Sequence, residues 1–315
     1  MTVGIAVATE RSPRLLARLW GSPYLLLSGA AFLWASNFVV GRLMSAGLPP
    51  ISLGFWRWAL ASPLVLPLAW PHLRRDLPAL RRHGPVLLLL ATTGLAGSNL
   101  LAYLGLATLP ATTALMVQSA LPVAILLVGL IAFRERPSGR QVGATVLSIL
   151  GVGAIVGFAG STPSTSWIGL ACVVGAMIAQ ALYASLLRLR PGIHPTSFLF
   201  ATITLAAVVM APLQLRWGVA LPLHHPQALA AVVFVAAGPS IAAFFLFNRG
   251  VELIGAGRAS IFFYLMPVFG SLLAVPVLGE RLGLGPLLGF TLIGAGFVMV
   301  LTGRNSRREA PGAKA

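Results

Sequence analysis

From residue 23 to residue 302 the chain alternates long apolar stretches with short polar ones. Ten stretches separate, near 23–44, 51–70, 85–107, 110–133, 139–158, 166–187, 196–215, 228–248, 258–279 and 284–302. Each approaches the ~20 residues that a helix needs to cross ~30 Å of hydrocarbon. The pattern predicts an all-α integral membrane protein of ten transmembrane helices. The links at Leu109-Pro110 and at Glu280 are so short that the spans on either side must run antiparallel. Polar tails flank the spans at 1–22 and 303–315, and residues 159–165 form a short link midway.

Basic residues give the chain a direction. With the N-terminus inside, the inner segments hold Arg11, Arg14, Arg18, Arg74, Arg75, Arg81, Arg82, Arg134, Arg136, Arg140, Arg188, Arg190, Arg249, Arg258, Arg304, Arg307, Arg308 and Lys314, eighteen of the 22 Lys and Arg. Arg42, Arg216 and Arg281 fall toward the outside, and Arg57 lies within a span. This is the asymmetry of the positive-inside rule, and it requires an even number of spans. Both termini are therefore expected in the cytoplasm of a bacterial-type inner membrane. The three N-terminal arginines resemble the start of a signal peptide. The apolar run behind them reaches Met44, however, far beyond the roughly 7–15 residues of an h-region. It reads as an uncleaved first span.

The sequence also repeats itself. A shift of 145 brings Gly105, Ala111, Ala114, Pro122, Val123, Leu127, Glu135, Arg136 and Gly151 onto Gly250, Ala256, Ala259, Pro267, Val268, Leu272, Glu280, Arg281 and Gly296. A shift of 146 brings Gly29, Ala30 and Ala35 onto Gly175, Ala176 and Ala181. A Pro-Val pair thirteen residues before a Glu-Arg pair, found twice, is hard to attribute to chance. Each unit, 23–158 and 166–302, holds five spans. An odd number places the second unit upside down relative to the first, which is a recurring transporter architecture.

Composition narrows the functional classes. Hydrophobic residues make up 57% of the chain, charged residues 9%, and the mean hydropathy is +0.91, whereas soluble domains carry roughly 25% charged residues. The net charge of +16 is confined to segments between spans and forms no aromatic-interleaved basic face, so no nucleic-acid partner is expected. The single cysteine, Cys172, excludes an internal disulfide, and no Cys/His spacing suits a metal. It reads as a small buried hydrophobe. The spans hold no metal cluster, Ser/His pair or paired carboxylates of the kind a membrane enzyme needs. No catalytic residue, metal or cofactor is expected.

What the spans do hold is uncharged polarity. Trp34 and Asn37 share a face of span 1, and their repeat partners are Gln180 and Tyr183 in span 6. Asn99 and Tyr103 share a face of span 3, with Phe244 and Asn248 as partners in span 8. Amides both donate and accept hydrogen bonds, and aromatic rings supply an apolar wall. Together they suit a small polar solute. The plainer role for any one of them is a hydrogen bond between helices; the fourfold correspondence favours a cavity lining. Span 9 adds Ser260, Tyr264, Pro267 and Ser271 on one face, and span 4 adds Thr112, Gln118, Ser119 and Pro122. The expected substrate-binding residues are Trp34, Asn37, Asn99, Tyr103, Gln118, Gln180, Tyr183, Phe244, Asn248 and Tyr264. Pro122 and Pro267 interrupt their helices at matched places and are the candidate hinges.

Charged groups attract less weight. Arg57, between Trp56 and Trp58, suits a substrate carboxylate or a snorkelling role in an outer aromatic belt, and its nearness to the start of its span favours the belt. Glu135 and Glu280 end the two Pro-Val repeats and read as structural, with gating as the lesser alternative. The six acids Glu10, Asp76, Glu135, Glu252, Glu280 and Glu309, and the histidines His72, His83, His194, His224 and His225, all sit in tails, loops or helix ends. A titratable mid-membrane group, the usual mark of proton coupling, is missing from the sequence. Gly153/Gly157 and Gly285/Gly289 predict close packing of spans 5 and 10. A homodimer is compatible with that spacing and has no other support.

Three segments carry a family resemblance: LWASNFVVGRLMSAGLPPISLGFWRWALA and LPATTALMVQSALPVAILLVGLIAFRERPS in the first unit, and GVELIGAGRASIFFYLMPVFGSLLAVPVLGERL in the second. They resemble the EamA-type permeases of the drug/metabolite transporter superfamily, and the likeness covers about 23–302. It implies ten helices around a cavity lined by spans 1, 3, 4, 6, 8 and 9. Gln180, where the family often has an aromatic, and Arg134-Glu135-Arg136, where it more often has Gly-Glu-Arg, depart from the pattern. The resemblance implies a secondary, non-ATP transporter of small polar metabolites, with export of amino acids or related compounds by alternating access as the leading reading. Uptake or exchange of similar solutes, and a non-transporting scaffold subunit, are the alternatives. Its partners are then a small-molecule metabolite and the lipid bilayer.

Overall fold

Proline opens several of the helices. Pro23, Pro50, Pro195 and Pro226 each stand in a first turn, where no N–H is needed and a fixed φ is an advantage. The computed structural model describes residues 20–133, 139–160, 166–255 and 259–305. Its helices are α1 (Pro23–Met44), α2 (Pro50–Arg82), α3 (Gly84–Leu106), α4 (Ala111–Gln118), α5 (Leu121–Phe133), α6 (Gly139–Gly160), α7 (Trp167–Leu189), α8 (Pro195–Trp217), α9 (Pro226–Ile254), α10 (Leu265–Leu278) and α11 (Leu284–Asn305). A 3₁₀ turn, Ser260–Tyr264, leads into α10. Among the described residues there is no strand. Glu10, Arg134, Glu135, Arg136, Arg258 and most of the 159–165 link lie outside the described residues.

By length and hydropathy six helices can cross a membrane: α1, α2, α3, α7, α8 and α9. The pair α4 and α5 is bent by 42° at a short break and makes a seventh if counted as one span. Shorter apolar helices cover Val142–Ile155, Phe262–Leu278 and Leu284–Gly296. The outer surface is strongly apolar, with Leu215 88% and Ile168 79% exposed, as lipid requires and water does not.

α2 differs from the expected span 51–70. It continues as helix to Arg82 despite Pro63, Pro67, Pro71 and Pro78. All four prolines lie on the exposed side, where the helix can bend around its missing hydrogen bonds without opening a packed face. The extension is anchored at Asp76, which is 6% exposed and accepts from the His194 N–H at the start of α8, 3.0 Å away. The His72 and His194 rings stack beside it with centroids 3.6 Å apart.

Two helix pairs rest on glycine. A Cβ on Gly105 of α3 would meet the Gly169 carbonyl of α7 at 2.8 Å, and one on Gly151 of α6 would meet the Gly289 carbonyl of α11 at 2.7 Å. The α6–α11 crossing therefore uses Gly151 with Gly289. Gly153 has nothing within 4 Å, because it lies on the exposed side of its helix.

Two apolar cores result. One gathers residues of α1, α3, α4 and α7 around Tyr103, Leu115 and Val173. The other gathers residues of α2, α3 and α8 around Trp58, Leu90 and Ile203.

Candidate functional site

Beside the second core, two helices lose their regular ladder. α3 passes through a π-helical segment at Ala91–Gly97, and α9 passes through another at Gly238–Ala242. In α9 the cause is visible in the sequence, since Pro239 has no N–H to donate. Such widened turns free backbone groups and re-aim the side chains around them, and they recur at functional sites. Here the freed Pro239 carbonyl accepts from Trp34 Nε1 at 3.2 Å. The next residue, Ser240, bonds its hydroxyl back to the Val235 carbonyl at 2.8 Å.

Ser240 is also the first of four acceptors around Arg57. Arg57 Nε donates to Ser240 Oγ at 2.6 Å. Its Nη1 donates to Asn99 Oδ1 at 2.6 Å, to Tyr103 OH at 3.0 Å and to Asn37 Oδ1 at 3.2 Å. Tyr103 in turn donates to Asn37 Oδ1 at 2.6 Å, and Asn99 Nδ2 is fixed by the Leu95 carbonyl at 2.9 Å. The guanidinium carbon sits 4.4 Å from the Trp58 ring centroid. Side chains of α1, α2, α3 and α9 thus converge on one cation. Glycine makes the approach possible, because a Cβ on Gly41 of α1 would meet the Tyr103 ring at 2.8 Å.

This corrects the belt reading of Arg57. The residue is only 3% exposed and far too enclosed to snorkel. It lies on the stripe Leu53, Gly54, Arg57, Trp58, Ala61 and Val65, the buried face of α2. Ser240 carried no weight in the sequence; its signal was the Gly-Pro-Ser break in an otherwise apolar stretch.

The charge balance is unusual. Among the described acids, Asp76 is bonded to His194, Glu252 pairs with Arg249 at 2.9 Å, and Glu280 binds the start of α4. None reaches Arg57. A buried cation without a counter-ion costs several kcal/mol of desolvation, and among the described residues only neutral oxygens and a ring face offset it. The bonding is also lopsided: Nη1 serves three acceptors with two protons, whereas Nη2 has no hydrogen-bond partner among the described residues.

The remaining expected residues are dispersed differently. Trp34 joins an aromatic cluster with Phe244, Phe247 and Phe263, at centroid distances of 5.8, 5.2 and 5.3 Å, and its ring is parallel to that of Phe263. Tyr183 is buried in the second core, where its ring lies against Gly94 in the π segment of α3. Gln180 is half-buried and makes no side-chain hydrogen bond among the described residues. Asn248 is exposed on α9, and Tyr264 is half-buried near the Phe290 ring. Gln118 ends α4 at the break, with its Oε1 buried and unbonded. Pro122 stands in the first turn of α5, and Pro267 in the first turn of α10. Asn37, Asn99 and Tyr103 therefore meet around Arg57, and the fourfold arrangement does not close into a single hydrogen-bonded ring.

Two further residues bracket the turn between α3 and α4. Arg42 Nη1 donates to the carbonyls of Leu106 and Ala107 at 2.9 and 3.0 Å, at the negative end of α3. Glu280 accepts from the Ala111 and Thr112 N–H groups at 2.7 and 2.9 Å and from the Thr112 hydroxyl at 2.8 Å, at the positive end of α4. Gly279, with φ +66°, turns the chain so that Glu280 can reach.

Comparison with known proteins agrees with this architecture. The model of the EamA-like transporter family matches residues 21–157 and again 167–302. A protein of Archaeoglobus fulgidus named as an uncharacterized transporter is 27% identical over 82% of this chain and 90% of its own. Bacillus subtilis YetK, also named an uncharacterized transporter, is 26% identical over 88% and 86%. A Streptantibioticus cattleyicolor protein named "probable terminal-alkyne amino-acid exporter" is 24% identical over 89% and 94%. One solved crystal structure superposes with a TM-score of 0.63 at 18% identity, covering 91% of this chain and 99% of that one, which shows a shared fold. Matched twice by the family model over nearly its whole length, the chain belongs to the EamA-like transporter family and is a multi-pass membrane transporter rather than an enzyme.

Proposed function

We propose that the protein exports amino acids or closely related carboxylate-bearing metabolites by alternating access, without ATP, and that Arg57 receives the carboxylate. The observation that carries this is the buried guanidinium that, among the described residues, has no acidic partner and leaves Nη2 unbonded. A cation held only by neutral acceptors keeps its full charge for an incoming anion. A charge-assisted bond made there is roughly twice as strong as a neutral one. Asn37, Asn99 and Tyr103 hold the guanidinium in place. The Trp34 cluster, tied to the same π segment through Pro239, supplies the apolar wall. The name of the Streptantibioticus relative supports the solute class and the direction.

In this reading α4 and α5 form one bent span, and the chain has ten spans in two inverted units, 23–158 and 166–302, with both tails in the cytoplasm. Exchanging the units maps the α3–α7 packing onto α9–α1 and the α5–α7 packing onto α10–α1, whereas α2–α8 and α6–α11 map onto themselves. The two π segments correspond in the same way. The breaks beside Pro122 and Pro267 are the hinges, and both lie where the regular helix is already interrupted.

Purified protein in proteoliposomes, loaded with unlabelled amino acids and offered labelled amino acids, hydroxy acids, sugars and polyamines, tests the proposal by counterflow. Accumulation of one or more carboxylates is expected. Counterflow confined to sugars or polyamines overturns it, and orientation-sorted vesicles then separate export from uptake.

A further inference from the structure

Between Ala111 and Leu121 every residue is buried except Gln118. This stretch is no lipid-facing helix: α4 packs against α1, α3, α6, α7, α10 and α11. Whatever surface Gln118 exposes therefore opens inside the bundle. The same side chain carries an unsatisfied polar atom, because Oε1 is buried and accepts no hydrogen bond among the described residues. Buried amide oxygens are nearly always bonded, so one that is not asks for a ligand.

The backbone at this point adds a second acceptor. Pro122 has no N–H, so the Gln118 carbonyl lacks its i+4 donor. The chain leaves the helix at Ser119 and Ala120 and resumes at Leu121. Two oxygens of one residue are thus available at the C-terminal, negative end of α4. The neighbouring Ser119 hydroxyl commits its proton to the Met116 carbonyl at 2.6 Å. No group of three or more His, Cys, Asp or Glu residues suits a metal among the described residues. Neutral acceptors at a helix C-terminus, without a carboxylate, fit a primary ammonium, which brings three donors and one positive charge.

We infer that Gln118 is the specificity-determining residue that reads the ammonium group of the substrate, while Arg57 reads its carboxylate. The inference rests on the transport reading above and deepens it, for it makes the preferred solute a zwitterion rather than any organic acid. The repeat partner of Gln118 is Phe263, which stacks on Trp34. The two units therefore offer one polar and one aromatic side chain at corresponding positions, as a solute with unlike ends requires.

Three probes of one chain length separate the two contacts: norvaline, pentanoate and pentylammonium, each titrated against detergent-purified protein with ligand-induced thermal shift and calorimetry. Wild-type protein is expected to bind norvaline more tightly than pentanoate by about ten- to a hundredfold, the range for a hydrogen bond to a charged group. Gln118→Leu should abolish that preference and the binding of pentylammonium, and leave pentanoate unchanged. Arg57→Gln should do the reverse. Gln118→Glu, which keeps the size and the acceptors and adds a negative charge, should strengthen pentylammonium binding and serves if the leucine variant fails to fold. Retention of the norvaline preference in Gln118→Leu, equal losses for norvaline and pentanoate, or no amine-dependent binding in the wild type overturns the inference. Pentanoate binding that survives Arg57→Gln, with amine binding still lost on Gln118→Leu, overturns the Arg57 reading and leaves the Gln118 contact standing.

Discussion

Arg57 Nε and Ser240 Oγ lie 2.6 Å apart although 183 residues separate them in the chain. The bond ties the buried face of α2 to the π segment of α9, and so joins the two regions matched by the family model. Ser240→Ala deletes one of the acceptors that offset the desolvation of the guanidinium. An unmade bond to a buried charge costs about 1–3 kcal/mol. The variant should melt several degrees lower in detergent, and an unchanged melting temperature would show that the bond carries no weight.

Glycine packing gives a sharper contrast. Gly105→Ala places a methyl against two backbone atoms of α7, the Gly169 carbonyl and the Val173 N–H, and backbone cannot rotate away. A loss of about 1–3 kcal/mol is expected from overpacking. Gly153→Ala meets nothing within 4 Å and should gain up to about 1 kcal/mol of helix propensity. Thermal melts of the two variants should therefore move in opposite directions.

Glu280 is a cap supplied from another helix. Glu280→Ala strips acceptors from two N–H groups and a hydroxyl at the start of α4 and should cost about 1–2 kcal/mol. Thr112→Val removes only the hydroxyl contact and should cost less. Hydrogen exchange at the Ala111 and Thr112 amides is the direct readout, with faster exchange expected in Glu280→Ala and little change in Thr112→Val.

The stacked histidines make one end of the bundle sensitive to acid. Burial, and secondarily the charge of His72, hold His194 below its usual value of 6.5, against an opposing pull from Asp76. A histidine with a depressed folded pKa stabilises the fold above pH 6.5 and loses that contribution as pH falls through the folded value. Wild-type protein should lose more melting temperature between pH 7.5 and pH 5 than His194→Gln does. Equal losses would remove His194 as the cause.

Apolar runs and proline starts made most helices legible in the sequence, since length and hydropathy are what the bilayer selects. The continuation of α2 to Arg82 was not legible, because it depends on Asp76 finding the start of α8 more than a hundred residues away. The meeting of Asn37, Asn99 and Tyr103 followed from their shared faces. The burial of Arg57 was not legible, because its closeness to a helix start points to the surface and only the small residues beside it, Gly54 and Ala61, mark that face as packed. The π segments that aim Ser240 and the Pro239 carbonyl have no simple periodicity, and only the Gly-Pro-Ser interruption hinted at one of them.

Arg57 is the proposed binding group for the carboxylate of the transported solute. Its most direct test compares the affinity of wild-type and Arg57→Gln protein for a transported amino acid and for its carboxamide, with gel filtration to confirm that the variant is folded. Wild-type protein should prefer the acid by about tenfold or more, and the variant should bind acid and amide alike. A variant that keeps the full preference for the acid would contradict the account.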